Sequence, residues 1–106
     1  MSRLETFRQM LAADPDNALV RFGIANELVK AERYGEAVEA LRDYLARADD
    51  EGAAYGMLAR AYEKLGRRDE ARAAYEAGIK AAEAHGHGRT MAEDYRMTLD
   101  TEYADD

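Results

Sequence analysis

The sequence contains no cysteine, one proline and one serine, Ser2. Without cysteine the chain has no disulfides, thiolate metal ligands or cysteine nucleophiles. No glycine-rich phosphate loop is present, and no pattern sets a nucleophile beside a base. We therefore predict that the chain has no catalytic residues and is not an enzyme.

Long apolar runs are also missing. The first ten residues, MSRLETFRQM, lack the apolar stretch of a signal peptide, and no segment approaches the length of a membrane span. A net charge of -7 opposes binding to a phosphate backbone. The sequence therefore predicts a cytoplasmic protein whose partners are neither nucleic acid nor membrane.

The residues that are abundant favour helix. The chain has 106 residues, 47% of them hydrophobic, which is enough for a single domain with its own core. Leucine and alanine outnumber the β-branched residues, and most of the eight glycines fall where turns are expected. An all-α fold follows from this composition.

An internal repeat has a period of 34 residues. Within each unit the apolar residues step by three and four, which is helical spacing. Each unit is therefore predicted to be two antiparallel helices joined by a tight turn. The residue pairs that match at this period are Ile24 and Leu58, Ala25 and Ala59, Leu28 and Tyr62, Ala37 and Ala71, Leu41 and Tyr75, and Leu45 and Ile79.

Small residues mark the places where the paired helices should cross. Ala25 with Ala37, and Ala59 with Ala71, fall at these positions. Only a small side chain lets two helix backbones approach closely there.

A 34-residue helix–turn–helix period with these alanines, Tyr62, Gly66 and the Glu-Ala pairs at 36–37 and 70–71 resembles the tetratricopeptide repeat. The resemblance covers residues 17–85 and implies a right-handed α–α superhelix. Three residues depart from the family pattern. Arg21 replaces a large apolar residue, Glu32 replaces the turn glycine, and Gly78 replaces a packing residue, which should leave the second unit thinly packed.

Half repeats are predicted on both sides of the two full repeats. Pro15 matches the position where the family usually has its inter-repeat proline, so the segment before it resembles a second helix without its first. The predicted domain covers 1–103, with a half repeat at 2–16, repeats at 17–50 and 51–85, a capping helix within 86–103 and an acidic tail at 104–106. The six predicted helices are 2–12, 17–31, 34–48, 52–65, 68–84 and 89–103.

The resemblance implies a protein-binding function in a concave groove lined by the first helix of each repeat, with Arg89 and Glu93 as the groove residues of the last helix. Such a groove would hold a peptide or a helix of a partner protein. Phe22 is the strongest candidate anchor, because an aromatic residue on that side has no evident partner within its own repeat. The alternative is that Phe22 belongs to the core, which is the default for apolar residues at helical spacing. The candidate partner-binding residues are Leu19, Phe22, Asn26, Met57 and Arg60.

Self-association is the alternative hypothesis. The first full repeat has no complete repeat before it, so one flank of helix 17–31, with Val20, Glu27 and Ala31, would lack a neighbour in the chain. A second copy could cover that flank and give a homo-oligomer.

Two histidines, His85 and His87, form the one pattern that suggests a metal site. A metal would need further ligands, and a helix end at Gly86 or Gly88 with both histidines in solvent explains the pattern better. We predict no metal and no cofactor.

Overall fold

The computed structural model describes residues 2–87 and 89–104. Those residues form six helices and no strand, so the predicted all-α fold is confirmed, with each helix end within about two residues of its prediction. The prediction that Gly88 ends a helix, and the acidic tail residues Asp105 and Asp106, lie outside the described part of the chain. The helices are α1 (Arg3–Ala13), α2 (Ala18–Lys30), α3 (Tyr34–Arg47), α4 (Ala53–Lys64), α5 (Arg68–Ala84) and α6 (Met91–Glu102).

Side-chain caps fix where several of these helices begin. The Asn17 side chain accepts a hydrogen bond from the backbone N–H of Val20 at 3.1 Å, directly after the Pro15 break. Asp50 does the same for α4, since its Oδ2 accepts from the N–H groups of Gly52 and Ala54, each at 2.9 Å. A capped N-terminus satisfies backbone donors that have no partner within the helix.

The turns inside the two full repeats have the same backbone geometry but different residues. Gly66 has φ +73°, and Glu32, 34 positions earlier, has φ +58°. Glu32 thus adopts the left-handed conformation that glycine tolerates best. The first repeat therefore keeps the turn although glutamate replaces glycine, and Glu32 is strained by its positive φ.

The helices group into two compact units, one ending at Ala48 and the other beginning at Asp49. In the first unit α2 packs against both α1 and α3. Its core consists of Val20, Ile24, Leu28 and Ala37, with Leu4, Phe7 and Leu11 of α1 packed against it.

The expectation of an uncovered flank on α2 is wrong for Val20 and Glu27, whereas Ala31 is exposed. Val20 is only 5% exposed because α1 lies over it, and Glu27 pairs with Arg3 of α1, with Nε and Oε1 2.9 Å apart. The half repeat therefore performs the covering that a preceding full repeat would perform. Two of the three residues proposed for self-association are therefore covered within the chain.

Arg21, which stands where the repeat pattern has a large apolar residue, is held by polar contacts. Its side chain is mostly buried, forms an ion pair with Asp43 of α3 and donates to the backbone carbonyl of Pro15, with Nη2 and O 2.7 Å apart. A charged residue at a packing position is tolerated here because its guanidinium finds both a carboxylate and a carbonyl.

The second unit contains α4, α5 and α6, with α5 packed against both of the other helices. Ala59 of α4 and Ala71 of α5 are completely buried, as are Ala25 and Ala37 in the first unit. Complete burial is what the predicted helix crossings require of these four alanines.

Gly78 does not leave the second unit thinly packed, contrary to the expectation. The ring of Tyr95, from α6, lies in the space between Gly56 and Gly78. Tyr95 is 7% exposed, and its hydroxyl donates to the carbonyl of Gly52 at 2.9 Å. The side chain missing from α5 is supplied by the next helix.

The residues that follow α6 are fixed onto α5. Tyr103 is 3% exposed, and the Arg68 guanidinium lies over its ring at 4.1 Å from the centroid. Arg72 donates to the Tyr103 carbonyl at 2.8 Å. None of the helices in the described residues is both long and apolar enough to cross a bilayer.

Candidate functional site

An open groove runs between α4 and α6 in the second unit. It consists of two adjoining depressions, of about 450 and 580 Å³, and Arg60, Tyr75, Asp94 and Thr98 line both of them. We call the depression of about 450 Å³ the upper half; it also contains Ala53 and Met91, from the beginnings of the two helices. The depression of about 580 Å³ is the lower half, and it contains Glu63 and Glu102, from the ends of the same helices. The two helices therefore run parallel along the groove.

Tyr75, from α5, contributes to both halves of the α4–α6 groove and is almost completely buried. Its ring centroid is 5.6 Å from that of Tyr95 and 6.0 Å from that of Tyr103. Aromatic pairs in tilted and edge-to-face arrangements at these distances are stabilising. The three tyrosines make this part of the groove rigid.

Two of these tyrosines orient the carboxylate of Glu63. The hydroxyl of Tyr75 donates to Oε1 at 3.2 Å and that of Tyr103 donates to Oε2 at 2.7 Å. Burial, together with the nearby Glu63 carboxylate, raises the pKa of Tyr75 to about 12. Burial and the hydrogen bond to Glu63 also raise the pKa of Tyr103. Both hydroxyls are therefore protonated donors at neutral pH.

Arg60 presents an exposed guanidinium to the groove and forms no ion pair with any other described residue. Asp94, on α6, is also exposed. Arginine offers five N–H donors, so Arg60 can bind carbonyl or carboxylate oxygens of a ligand. The groove also has an apolar residue, because Met97 is 66% exposed in the lower half.

The predicted partner-binding residues are divided between the two units. Arg60 lines the α4–α6 groove, and Met57 lies half-buried on α4. In the first unit Leu19 is 85% exposed on α2, and Asn26 is half-buried.

The expectation that Phe22 lacks a partner within its repeat is wrong. Its ring lies against that of Tyr44 in α3, with centroids 5.2 Å apart. Tyr44 lies in the second helix of the same repeat, 22 positions after Phe22. Apolar spacing within one helix cannot reveal a contact with the other helix of the repeat. Phe22 is partly exposed and contributes to the packing of α2 on α3.

Repeat spacing did not identify the α6 residues of the groove. Stepping from α4 gave Arg89 and Glu93, whereas the structure places Thr90, Asp94, Met97 and Thr98 there. Thr90 and Asp94 each follow a predicted residue by one position, so the face of α6 that lines the groove is rotated from the face that repeat spacing selects. The helical spacing 90–94–97–98–101, read together with the buried Tyr95, would have been the signal.

His85 and His87 lie near acidic residues of the segment before α4. Nε2 of His85 is 3.0 Å from Oδ1 of Asp49, and Nε2 of His87 is 4.0 Å from Oε2 of Glu51. Gly86 has φ +83° and ends α5, as the helix-end interpretation predicts. Across the described residues no three acidic or histidine side chains come together as a metal site.

Comparisons with known proteins agree with this architecture. The sequence model of the tetratricopeptide repeat matches residues 28–90. The TPR repeat-containing protein PA0015 of Pseudomonas aeruginosa is 32% identical over 83 residues, which are 78% of this chain and 79% of that protein. The solution structure of protein BPP2914 from Bordetella parapertussis superposes with a TM-score of 0.78 at 27% identity, covering 93% of this chain and 85% of that one. The repeat period, the helix pairs and these similarities establish that the chain belongs to the tetratricopeptide repeat family.

Proposed function

We propose that this chain is a protein-interaction module that holds a segment of a partner protein in the α4–α6 groove. Proteins of this family typically mediate protein–protein interactions. The observation that carries the proposal is the groove itself, which is open to solvent, has the rigid Tyr75 beneath it and presents both Arg60 and Met97.

The dimensions of the groove suit a short segment. It follows the 12 residues of α6, or about 18 Å at 1.5 Å per residue. An extended peptide covers this length with about five residues. In this proposal Arg60 binds main-chain carbonyls of the segment, and Met97 packs against one of its apolar side chains.

The face of α2 is the second proposed contact region, through Leu19 and Asn26. Leu19 is the most exposed large apolar residue in the described chain, and the half-buried Asn26 has an amide that can bond a peptide backbone. No observation favours self-association on the flank of α2, because α1 covers it.

Selection from a random-peptide display library tests the proposal. Wild-type protein is compared with Met97→Asp and Arg60→Ala, and with Leu19→Asp as the matched change in the first unit. All three residues are exposed, so the folded state should tolerate the changes, which thermal melting verifies.

We expect wild-type protein to enrich a consensus peptide and Met97→Asp to lose it. Arg60→Ala should weaken binding of that peptide about tenfold or more, as for a hot-spot arginine. If Leu19→Asp alone abolishes binding, the face of α2 is the site and the α4–α6 groove is not. If no peptide is enriched, or if every variant keeps it, the proposal is wrong.

A further inference from the structure

The two halves of the α4–α6 groove differ in charge. The charged residues that line the upper half are Arg60 and Asp94, one of each sign. The lower half contains these two and adds Glu63 and Glu102. Three carboxylates against one guanidinium leave an excess of two negative charges in the lower half.

One of these carboxylates is held in place before any ligand binds. The hydroxyls of Tyr75 and Tyr103 each donate to a different oxygen of Glu63. A carboxylate has about four lone-pair sites, so acceptor capacity remains for a further donor. Because Glu63 is already oriented, a cation that binds it costs less side-chain entropy than binding a mobile glutamate would.

Two cations near the groove, Arg68 and Arg96, bind other groups. Arg68 lies over the ring of Tyr103 and donates to the Glu102 carbonyl, and together with Glu63 and Tyr103 it lines a smaller depression beside Gly66. Arg96 of α6 pairs with Glu83, with Nη2 and Oε2 2.5 Å apart. Neither side chain lines the α4–α6 groove itself, in which Glu63 and Glu102 are both exposed.

An exposed apolar residue lies in the same half. Met97 is 66% exposed and lines the lower half together with Glu63 and Glu102. A flexible, polarisable methionine adapts to apolar side chains of different shapes. The lower half therefore combines an acidic surface with an apolar contact point.

From this juxtaposition we infer that the groove selects a cationic segment, with a lysine or arginine beside Glu63 and Glu102 and a neighbouring apolar side chain on Met97. This inference rests on the proposed function, since it names the chemistry of the segment that the groove would hold. It also gives the two halves different tasks. Arg60 binds the backbone of the segment, and the carboxylates of the lower half attract its positively charged side chain.

Fluorescence anisotropy with three synthetic peptides tests the inference. Each peptide has ten residues with leucine at alternate positions, and the remaining positions are all lysine, all glutamine or all glutamate. The wild-type protein is compared with Glu63→Gln/Glu102→Gln, which removes two charges from the groove. The matched control is Glu32→Gln/Glu39→Gln, which removes two exposed charges from the first unit. Glu102→Gln alone is included because it leaves the bonds of both tyrosines to Glu63 intact.

We expect the lysine peptide to bind wild-type protein, and the groove double variant to bind it about tenfold more weakly, as the loss of two partly exposed ion pairs would give. The control variant should bind it as wild type does. Raising the salt concentration should weaken wild-type binding more than that of the groove variant.

Two results would overturn the inference and leave the proposed function in place. In the first, the glutamine or glutamate peptide binds as tightly as the lysine peptide, and Met97→Asp abolishes that binding. In the second, the control variant loses as much affinity as the groove variant, so that only net charge matters, while Met97→Asp still blocks binding. Failure of all three peptides to bind wild-type protein also counts against the inference. Binding of every peptide that survives Met97→Asp would instead contradict the proposed function.

Discussion

Tyr95 lies so close to Gly56 that a Cβ at residue 56 would be 2.9 Å from Cε1 of the tyrosine ring. On the other side of the ring, a Cβ at Gly78 would be 2.8 Å from Cε2. The ring cannot move away easily, because its hydroxyl is hydrogen-bonded to the Gly52 carbonyl. The Tyr95 ring of α6 thus packs into a space that Gly56 of α4 and Gly78 of α5 leave open.

We predict that Gly56→Ala lowers the free energy of unfolding by about 1–2 kcal/mol, since overpacking outweighs the gain in helix propensity. Gly35→Ala is the matched control, because Gly35 is also helical and a Cβ there meets nothing within 4 Å. The control should leave stability unchanged or raise it. Urea denaturation measures both, and equal effects of the two substitutions would contradict the packing of Tyr95.

The turn residues Glu32 and Gly66 give a second prediction. Because Glu32 has φ +58°, Glu32→Gly should relieve strain and raise the free energy of unfolding by about 1 kcal/mol. At the equivalent turn, Gly66→Ala should lower it by about 1 kcal/mol, since a Cβ there has open space and only the backbone conformation opposes it. Thermal and urea denaturation should show opposite signs, and shifts of the same sign would be inconsistent with equivalent turns.

The alanines at the helix crossings give a third prediction. Ala59→Leu should destabilise the protein by about 1–3 kcal/mol, because the larger side chain forces α4 and α5 apart. Ala73→Leu, on the exposed side of α5, is the control and should have little effect. A melting temperature that responds equally to the two substitutions would mean that Ala59 is not at a crossing.

Alkaline pH should destabilise the second unit. The pKa values of Tyr75 and Tyr103 are raised in the folded protein, that of Tyr75 to about 12, whereas an unfolded tyrosine has a pKa of about 10. A raised pKa means that folding favours the protonated hydroxyl. Its contribution to stability is therefore full below pH 10 and is lost as pH rises through the folded values.

Urea denaturation at several pH values from 9 to about 12 measures this loss, across the interval between the unfolded and folded tyrosine pKa values. Tyr75→Phe/Tyr103→Phe should make the decline in stability above pH 10 shallower. Tyr34→Phe in the first unit removes a tyrosine hydroxyl without touching Glu63 and should leave the decline as steep as in wild type. If the double variant declines as steeply too, the two buried hydroxyls do not control alkaline stability.

Phe22 gives a last prediction, which distinguishes packing from binding. Because its ring lies on Tyr44, we expect Phe22→Ala to lower the free energy of unfolding by about 2–3 kcal/mol, somewhat less than for a fully buried phenylalanine. Leu19→Ala, on the exposed side of the same helix, should change stability little. An unchanged melting temperature for Phe22→Ala, combined with lost peptide binding, would restore Phe22 as a groove anchor.

The repeat period was sufficient to predict the helices and the buried alanines, because both depend on contacts inside one repeat. Contacts between a repeat and its neighbouring half repeats were not predictable in this way. Gly78 was interpreted as a packing defect because its partner, Tyr95, is in the next helix. Val20 was expected to lie uncovered although the short α1 covers it. In the groove, Asp94 was missed because the groove face of α6 begins one residue after the predicted Arg89 and Glu93, and Met97 was missed because the repeat comparison did not extend one turn beyond Glu93.

The order of the packing partners has a consequence for the synthesis of the chain. In the second unit α4 packs on α5 and α5 on α6, so most contacts join helices that are adjacent in sequence and can form quickly. The bonds from Tyr95 to Gly52 and from Tyr103 to Glu63 join residues 43 and 40 positions apart. During synthesis the α4–α5 hairpin therefore leaves the ribosome before Tyr95, whose ring packs between Gly56 and Gly78. Until Tyr95 emerges, the nascent hairpin has an unfilled cavity at Gly56 and Gly78. We therefore expect the second unit to become resistant to proteases only when α6 is complete.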